Sequence, residues 1–591
     1  MFTGRHTHRI KAWSNEKPIV ATPGSGTKTG KWELDPICVK EFDEALCAQW
    51  AEEQNVSATL LDTLIDGGVD VAIYGKVDVG GNLLQRPDQQ KHHPTCNGFH
   101  GRGLDTVGRA ADIRRSSRER PNAKEHRPTP EIHHEDWKVL SECMQWLEGN
   151  ANSNSSKPWM LYCSIIIPHP PYECNQNTEL HVSNNIPIPE WFTNPSKYPE
   201  SSMHPYDSYM SFAKEMMDEQ APFDADYLER NMRCWYAMCN QTDAMLGSVW
   251  EKAAETGNLE NTMVIFVSDH GEMHMEHRQH LKNSMYEGSS RVPLIIAGPG
   301  SKPGLAKRQQ FYYQGKIVRD ITSLVDVYPT LADAAGLAWP DMLDGESLVP
   351  YVTGIGGRSK DFAVSMYMSN MANTQAFMVR QGPWKYIAYG TYGPKWYKDY
   401  HPQLFNLDED PGELVNVMST NQEIGSSLDT LLRSVVDYES VDREVKMEER
   451  MLYGRYYKQR MTTNQLNEQW AKIYTHFSKE DHQKVAEWYD AVESAPQYDA
   501  VESAPQPVEV LSDECTFENQ QSCSNFQKGF ISIECCSNFQ KGFIIIGCHN
   551  DLIKSPALLL DKARNKLALF ARTLQSGSFN NVNSKKIMAW K

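Results

Sequence analysis

A short run of β-branched and apolar residues, Val264-Ile265-Phe266-Val267, breaks off at Ser268-Asp269-His270-Gly271-Glu272. Such a run reads as a strand buried on both faces, and its abrupt polar end reads as the strand's carboxyl edge. Open α/β sheets gather their chemistry at that edge, because a side chain there leaves the core while the strand still holds it rigid. Asp269 and His270 are therefore the first candidates for a metal or oxyanion site. The alternative at this point is a strand-to-loop turn in which Asp269 only caps the next segment.

Glu276, His277, Arg278, Lys282 and Glu287 come next, and a second apolar strand is expected over Val292-Pro293-Leu294-Ile295-Ile296-Ala297. A loop so dense in charge cannot be core, and the two strands anchor it near one sheet edge, which is how anion sites are assembled. A solvated surface loop has the same composition. His277 either touches a ligand or orients the loop by hydrogen bonding.

Helical and extended patterns alternate elsewhere. Leu60, Leu61, Leu64 and Ile65 form a helical stripe, followed by a strand over Val69–Tyr74 and then Gly75-Lys76. From Trp137 a helix leads to a strand over Trp159–Ile167, which stops at Pro168-His169-Pro170. A long amphipathic helix over Asp226–Glu255 precedes the Val264–Val267 strand. This alternation predicts an α/β fold, a doubly wound mixed sheet flanked by helices. Past Tyr351 the elements shorten, and Phe377–Arg380 with Trp384–Tyr389 reads as an antiparallel pair in a smaller C-terminal α+β domain.

The expected division is a larger α/β domain over 1–352, an antiparallel-sheet subdomain over 353–440 and a helical extension over 441–488. Insertions stand near 21–55 and 86–128; between Arg102 and Arg127 eight basic residues face four acids, the mark of a solvated loop. Residues 489–497 are repeated as 498–506, giving an acidic, proline-containing linker over 489–510. In the tail over 511–591, Cys523-Ser524-Asn525-Phe526-Gln527-Lys528-Gly529-Phe530-Ile531 recurs at 536–544. That tail weakly resembles part of an extracellular MAM-type β-sandwich, and a duplicated gene-model fragment is the other reading.

The net charge of −17 argues against a general binder of nucleic acid, which needs a basic surface. Any anionic ligand must instead meet a local basic pocket. No apolar run is long enough to span a membrane, and the opening residues lack the apolar centre of a signal peptide. Thirteen cysteines with no metal-ligand spacing leave the redox compartment open.

Ser268-Asp269-His270-Gly271-Glu272, Lys282-Asn283-Ser284-Met285-Tyr286-Glu287 and Arg291-Val292-Pro293-Leu294-Ile295-Ile296 together resemble the type I sulfatases of the alkaline phosphatase superfamily. The likeness continues through Ser323–Thr330, Trp384-Lys385-Tyr386, Gln403–Leu407 and Asp410-Pro411-Gly412-Glu413, over about residues 1 to 490. It implies hydrolysis of sulfate esters of a small molecule or glycan, such as a 2-sulfated uronate, by a Ca²⁺ ion and a formylglycine nucleophile. It also implies a lysosomal or secreted protein.

Carried over residue by residue, the resemblance makes Asp269 and His270 metal ligands and Lys76 and Lys282 the lysines that contact sulfate. His169 and His204 are the two candidates for the acid that protonates the leaving oxygen, and His204 also for substrate binding. Each has a plainer alternative: a surface lysine, a histidine in a rigid proline turn, a structural imidazole. Neither Cys-x-Pro-Ser-Arg nor Ser-x-Pro-x-Arg occurs in the 591 residues, and Met1-Phe2-Thr3-Gly4-Arg5 resembles the stretch just after that motif in the family. The expectation is a chain beginning past the first strand and its nucleophile, inactive as written. A non-catalytic glycan- or partner-binding relative and a phosphatase or phosphodiesterase of the same superfamily are the alternatives.

Overall fold

The computed structural model describes residues 2–13, 21–23, 32–34, 44–54, 59–75, 93–94, 134–153, 157–169, 188–194, 196–199, 202–213, 225–274, 276–279, 281–297, 316–353, 357–368, 374–392, 400–452, 530–533 and 543–547, with single residues between 155 and 186. Lys76, the 489–510 linker, most of the 86–128 insertion and most of the tail lie outside the described residues.

A short hairpin, β1 (Ala21–Pro23) with β2 (Trp32–Leu34), and helix α1 (Glu44–Gln54) occupy the first insertion. Helix α2 (Leu60–Asp66) starts where Thr59 and Asp62 cap each other: the Thr59 amide donates to Asp62 Oδ2 at 2.8 Å, and the Asp62 amide to Thr59 Oγ1 at 3.3 Å. Strand β3 (Asp70–Gly75) comes directly after it.

The main sheet has eight strands. Besides β3 they are β4 (His93–Pro94), β5 (Trp159–Ser164), β6 (Thr262–Val267), β7 (Leu294–Ala297), β8 (Lys316–Val318), β13 (Phe530–Ile533) and β14 (Phe543–Gly547), in the order β4-β3-β5-β14-β6-β7-β13-β8. β3 runs parallel to β5, and β14 lies antiparallel to both β5 and β6, so β3, β5 and β6 share one direction. β7 runs against β6. The two described pieces of the tail thus pair in this sheet and not with each other, and each begins at the same phenylalanine of its repeat, Phe530 or Phe543.

Both faces of the sheet are covered, and strand alternation sorts the residues between them. Val71, Ile73, Met160 and Tyr162 join α2 and helix α5 (Val327–Ala334) on one side. Ala72, Tyr74, Leu161 and Cys163 meet helices α3 (His134–Ala151) and α4 (Ala225–Glu255) on the other. Among the described residues no helix is long and apolar enough to cross a membrane.

The C-terminal region holds a four-stranded antiparallel sheet, β9 (Phe362–Tyr367), β10 (Ala376–Gln381), β11 (Trp384–Tyr389) and β12 (Gln403–Asn406), each paired with its neighbour in sequence. Phe377, Val379, Tyr386 and Ala388 turn to helices α6 (Gln422–Val435) and α7 (Tyr438–Leu452). Ala376, Met378, Ile387 and Tyr389 turn the other way, onto Met273, Met285 and Tyr286 of the loop after β6.

Candidate active site

Three parallel strands end level with one another. Gly75 pairs with Ser164, Cys163 and Phe266 flank Phe543, and Val267 pairs with Leu294. The loop from Ser268 to Pro293 therefore leaves and re-enters the sheet at the carboxyl edge of β3, β5 and β6. Lys76 would come after β3 at this edge but lies outside the described residues.

Asp269 is the first residue to clear the core, with its side chain 42% exposed. The His270 amide donates to Asp269 Oδ1 at 3.0 Å, His270 Nε2 stands 3.5 Å from Oδ2, and His270 Nδ1 is 2.9 Å from the Gly271 carbonyl. Gly271 is required by space: a Cβ there would sit 2.1 Å from the Gly288 carbonyl oxygen, because the Gly271 amide donates across the loop to Ser289. Glu272 is fully buried and accepts hydrogen bonds from the amides of His274 and Leu281, so it pins the loop from within.

Lys282 sits half-buried in this loop, after Leu281 with φ +65°, and its carbonyl accepts from Ser289 Oγ at 2.6 Å. His169 stands past the end of β5, and its amide donates to Ile166 at 3.0 Å. The turn before it is held by Asp136 of α3, buried, which accepts from the amides of Ile166 at 2.6 Å and Ile167 at 3.0 Å. The structure therefore brings Asp269, His270, the Lys282 loop and the His169 turn to one edge.

His204 is placed differently. It is 6% exposed and stacks on Tyr389 of β11 at 4.6 Å. Its Nδ1 accepts from the Tyr206 amide at 3.2 Å and its Nε2 lies 2.9 Å from the His401 carbonyl, so both ring nitrogens are occupied within the protein. Burial lowers its pKa to about 4, which keeps the ring neutral.

Below the loop lies a polar layer that no single-residue motif announces. Asp207 accepts from Gln279 Nε2 at 3.0 Å and from the Tyr286 hydroxyl at 2.6 Å, and Gln403 Nε2 donates to that same hydroxyl at 3.0 Å. The ring of His277 stacks on Tyr286 at 3.8 Å and its Nε2 donates to the Gly412 carbonyl at 3.0 Å. His277 thus orients the loop.

Calcium takes about six to eight oxygen ligands. Asp269 and His270 supply one carboxylate and one imidazole, and among the described residues no group of three or more His, Cys, Asp or Glu is arranged to hold a metal. These residues alone do not complete a calcium site.

The first 337 residues match the sulfatase family, and residues 275–438 match the C-terminal region of N-sulphoglucosamine sulphohydrolase. Arylsulfatase K of Bos taurus is 33% identical over 409 residues, covering 66% of this chain and 68% of the relative. Arylsulfatase K of Danio rerio is 37% identical over 335 residues, covering 52% of this chain and 58% of the relative, so the chain spans only part of the length of such relatives. A solved 2-O GAG sulfatase is 19% identical, with a TM-score of 0.49 over 75% of this chain and 81% of that one. With more than half of its residues inside the family match, this chain belongs to the sulfatase family.

Proposed function

We propose that this chain carries the sulfate-receiving edge of a sulfuric ester hydrolase acting on a sulfated glycan such as a 2-sulfated uronate, in a lysosomal or secreted setting. The observation that supports this reading is the meeting of Asp269, the Lys282 loop and the His169 turn at one sheet edge in a sulfatase-family chain. Sulfate esters pose one physical problem: an alkoxide must leave a sulfonyl group whose oxygens already carry negative charge. The Lys282 ammonium offsets that charge, and Lys76 adds a second cation. For the acid that protonates the leaving oxygen we favour His169, whose turn follows β5 at this edge, over His204, which is buried against Tyr389.

Sulfatases in general bind a divalent metal, which offsets charge on the sulfate oxygens; here Asp269 and His270 are its candidate ligands, and no step is routed through it. The nucleophile the family uses belongs to a Cys-x-Pro-Ser-Arg motif, which does not occur in these 591 residues, so the binding of sulfate esters is the property to test on this chain.

Calorimetry with a 2-sulfated uronate disaccharide tests the reading. Lys282→Ala is expected to weaken binding about tenfold or more, the scale of a lost hydrogen bond to a charged group. Absence of binding by the unaltered chain would end the sulfate assignment. Hydrolysis of p-nitrocatechol sulfate that vanishes in Lys282→Ala would instead show that another nucleophile serves.

A further inference from the structure

Trp384-Lys385-Tyr386 and Asp410-Pro411-Gly412-Glu413 have no part in the chemistry above, yet they converge beneath the Lys282 loop. Alternation along β11 puts Lys385 on the same face as Ile387 and Tyr389, toward the loop, and the register of β10 sets Arg380 directly opposite it. Two cations facing each other across a sheet repel. Glu287, at the far end of the loop, separates them: Oε1 lies 2.7 Å from Lys385 Nζ and Oε2 lies 3.0 Å from Arg380 Nη1.

Lys385 is fully buried, and its ammonium lies among four oxygens. It pairs with Glu287 Oε1 and with Glu413 Oε1 at 2.8 Å, and it donates to the Met285 carbonyl at 3.0 Å and to Ser290 Oγ at 3.5 Å. Glu413 closes the cluster by accepting from the Glu287 amide at 2.6 Å through its other oxygen. It does so from a left-handed backbone, φ +54°, which a glutamate rarely adopts. The preceding residue, Gly412, offers its carbonyl to His277. Adjacent residues of one C-terminal turn thus hold the loop at His277 and at Glu287, five positions on either side of Lys282.

We infer that Lys385, Arg380 and Glu413 form a charge clamp through which the C-terminal sheet fixes the loop over 277–287, and that Lys385 is a positioning residue for Lys282. The positioning role rests on the sulfate reading; the clamp does not. A buried ammonium bridging two carboxylates is costly to break on one side, since the remaining charges stay buried without their partner. Replacing it by an apolar side chain should therefore release the loop without removing any hydrogen bond inside the eight-stranded sheet.

The test is hydrogen exchange resolved by segment, with calorimetry against the same sulfated disaccharide, on the full chain. Lys385→Met is expected to lower protection over 277–290 about tenfold or more while β10 and β5 keep theirs, and to weaken disaccharide binding with Lys282 intact. Glu413→Gln, which keeps the shape and one acceptor, should give a smaller change of the same pattern and serves if Lys385→Met does not fold. Unchanged protection over 277–290 in both variants, or a uniform loss across both sheets, overturns the clamp. A loosened loop in a chain that binds no disaccharide even when unaltered would sustain the clamp and overturn the positioning role.

Discussion

The two sheets of this molecule are built by opposite means. In the four-stranded sheet every neighbour is the next strand in sequence, and β10 and β11 are joined by a two-residue turn in which Gly382 has φ +54°. In the eight-stranded sheet only β3 with β4 and β6 with β7 are both sequential and adjacent, and the central place is taken by β14 from the far end of the chain. Local pairings close at little entropic cost, whereas distant ones must be reached through long chain closures. The candidate site stands on the sheet of distant pairings and is steadied by the sheet of local ones.

Gly75→Ala should break this contrast most severely. Gly75 has φ +94°, and a Cβ there would lie 1.8 Å from the Ser164 carbonyl oxygen, a clash with backbone that no rotamer relieves. We expect a loss of about 3–5 kcal/mol in chemical denaturation, the range of backbone strain added to a core clash. Protection should vanish over 60–75 and 157–169 while 376–389 remains protected. Simultaneous loss in both regions would mean that the sheets unfold as one unit.

Ile545→Pro probes the central place itself. β14 is paired on both sides, so a proline removes a ladder donor whichever neighbour it faced. A cost of about 3 kcal/mol is expected. β5 and β6 would then be separated by about two strand spacings, roughly 9.6 Å, with unpaired edges facing each other. Exchange over 159–164 and 262–267 should rise; if it does not, β14 is not what holds those strands.

Legibility in the sequence divides along the same line. The helix–strand units around β3, β5 and β6 and the β10–β11 pair were legible, because period and turn chemistry are local. The strand expected over Trp159–Ile167 ends at Ser164, since Asp136 draws the amides of Ile166 and Ile167 into a turn. The strand expected from Val292 begins at Leu294, past Pro293, which has no amide to donate. The places of β13 and β14 were not legible, as a repeated Gly-Phe-Ile run carries no mark of its partner. Asp269 and Lys282 stood out as polar residues between apolar runs. Glu287 stood in the same charged loop and Lys385 in a quoted motif, but their pairing was not legible, because a buried charge looks in sequence like an exposed one until its partners are known.

Acid should separate the two sheets by a smaller margin. Burial lowers His277 to about 4, and nearby Lys385 adds to the effect; burial likewise lowers His204 to about 4. A histidine depressed from 6.5 stays neutral in the fold while the unfolded chain takes up a proton, so stability is full above pH 6.5 and is lost as pH falls toward 4. Glu413 acts in the other sense: burial raises it to about 7, so its protonation between pH 7 and 4.5 favours the fold. Burial also pushes Glu287 up, but Lys385, Arg380 and Arg291 outweigh that and hold it at about 2, so it stays charged through this window. At this contact, two histidines against one carboxyl leave a net loss of about 1–2 kcal/mol on going from pH 7 to 5. The loss should appear first as faster exchange over 276–287 and 400–413, where these groups lie or make contact, while β5 and β6, packed on apolar side chains, keep their protection. Glu413→Gln removes the opposing contribution and should steepen the decline. A shallower decline in that variant would mean that the histidines do not set the acid sensitivity of the contact between the C-terminal sheet and the Lys282 loop.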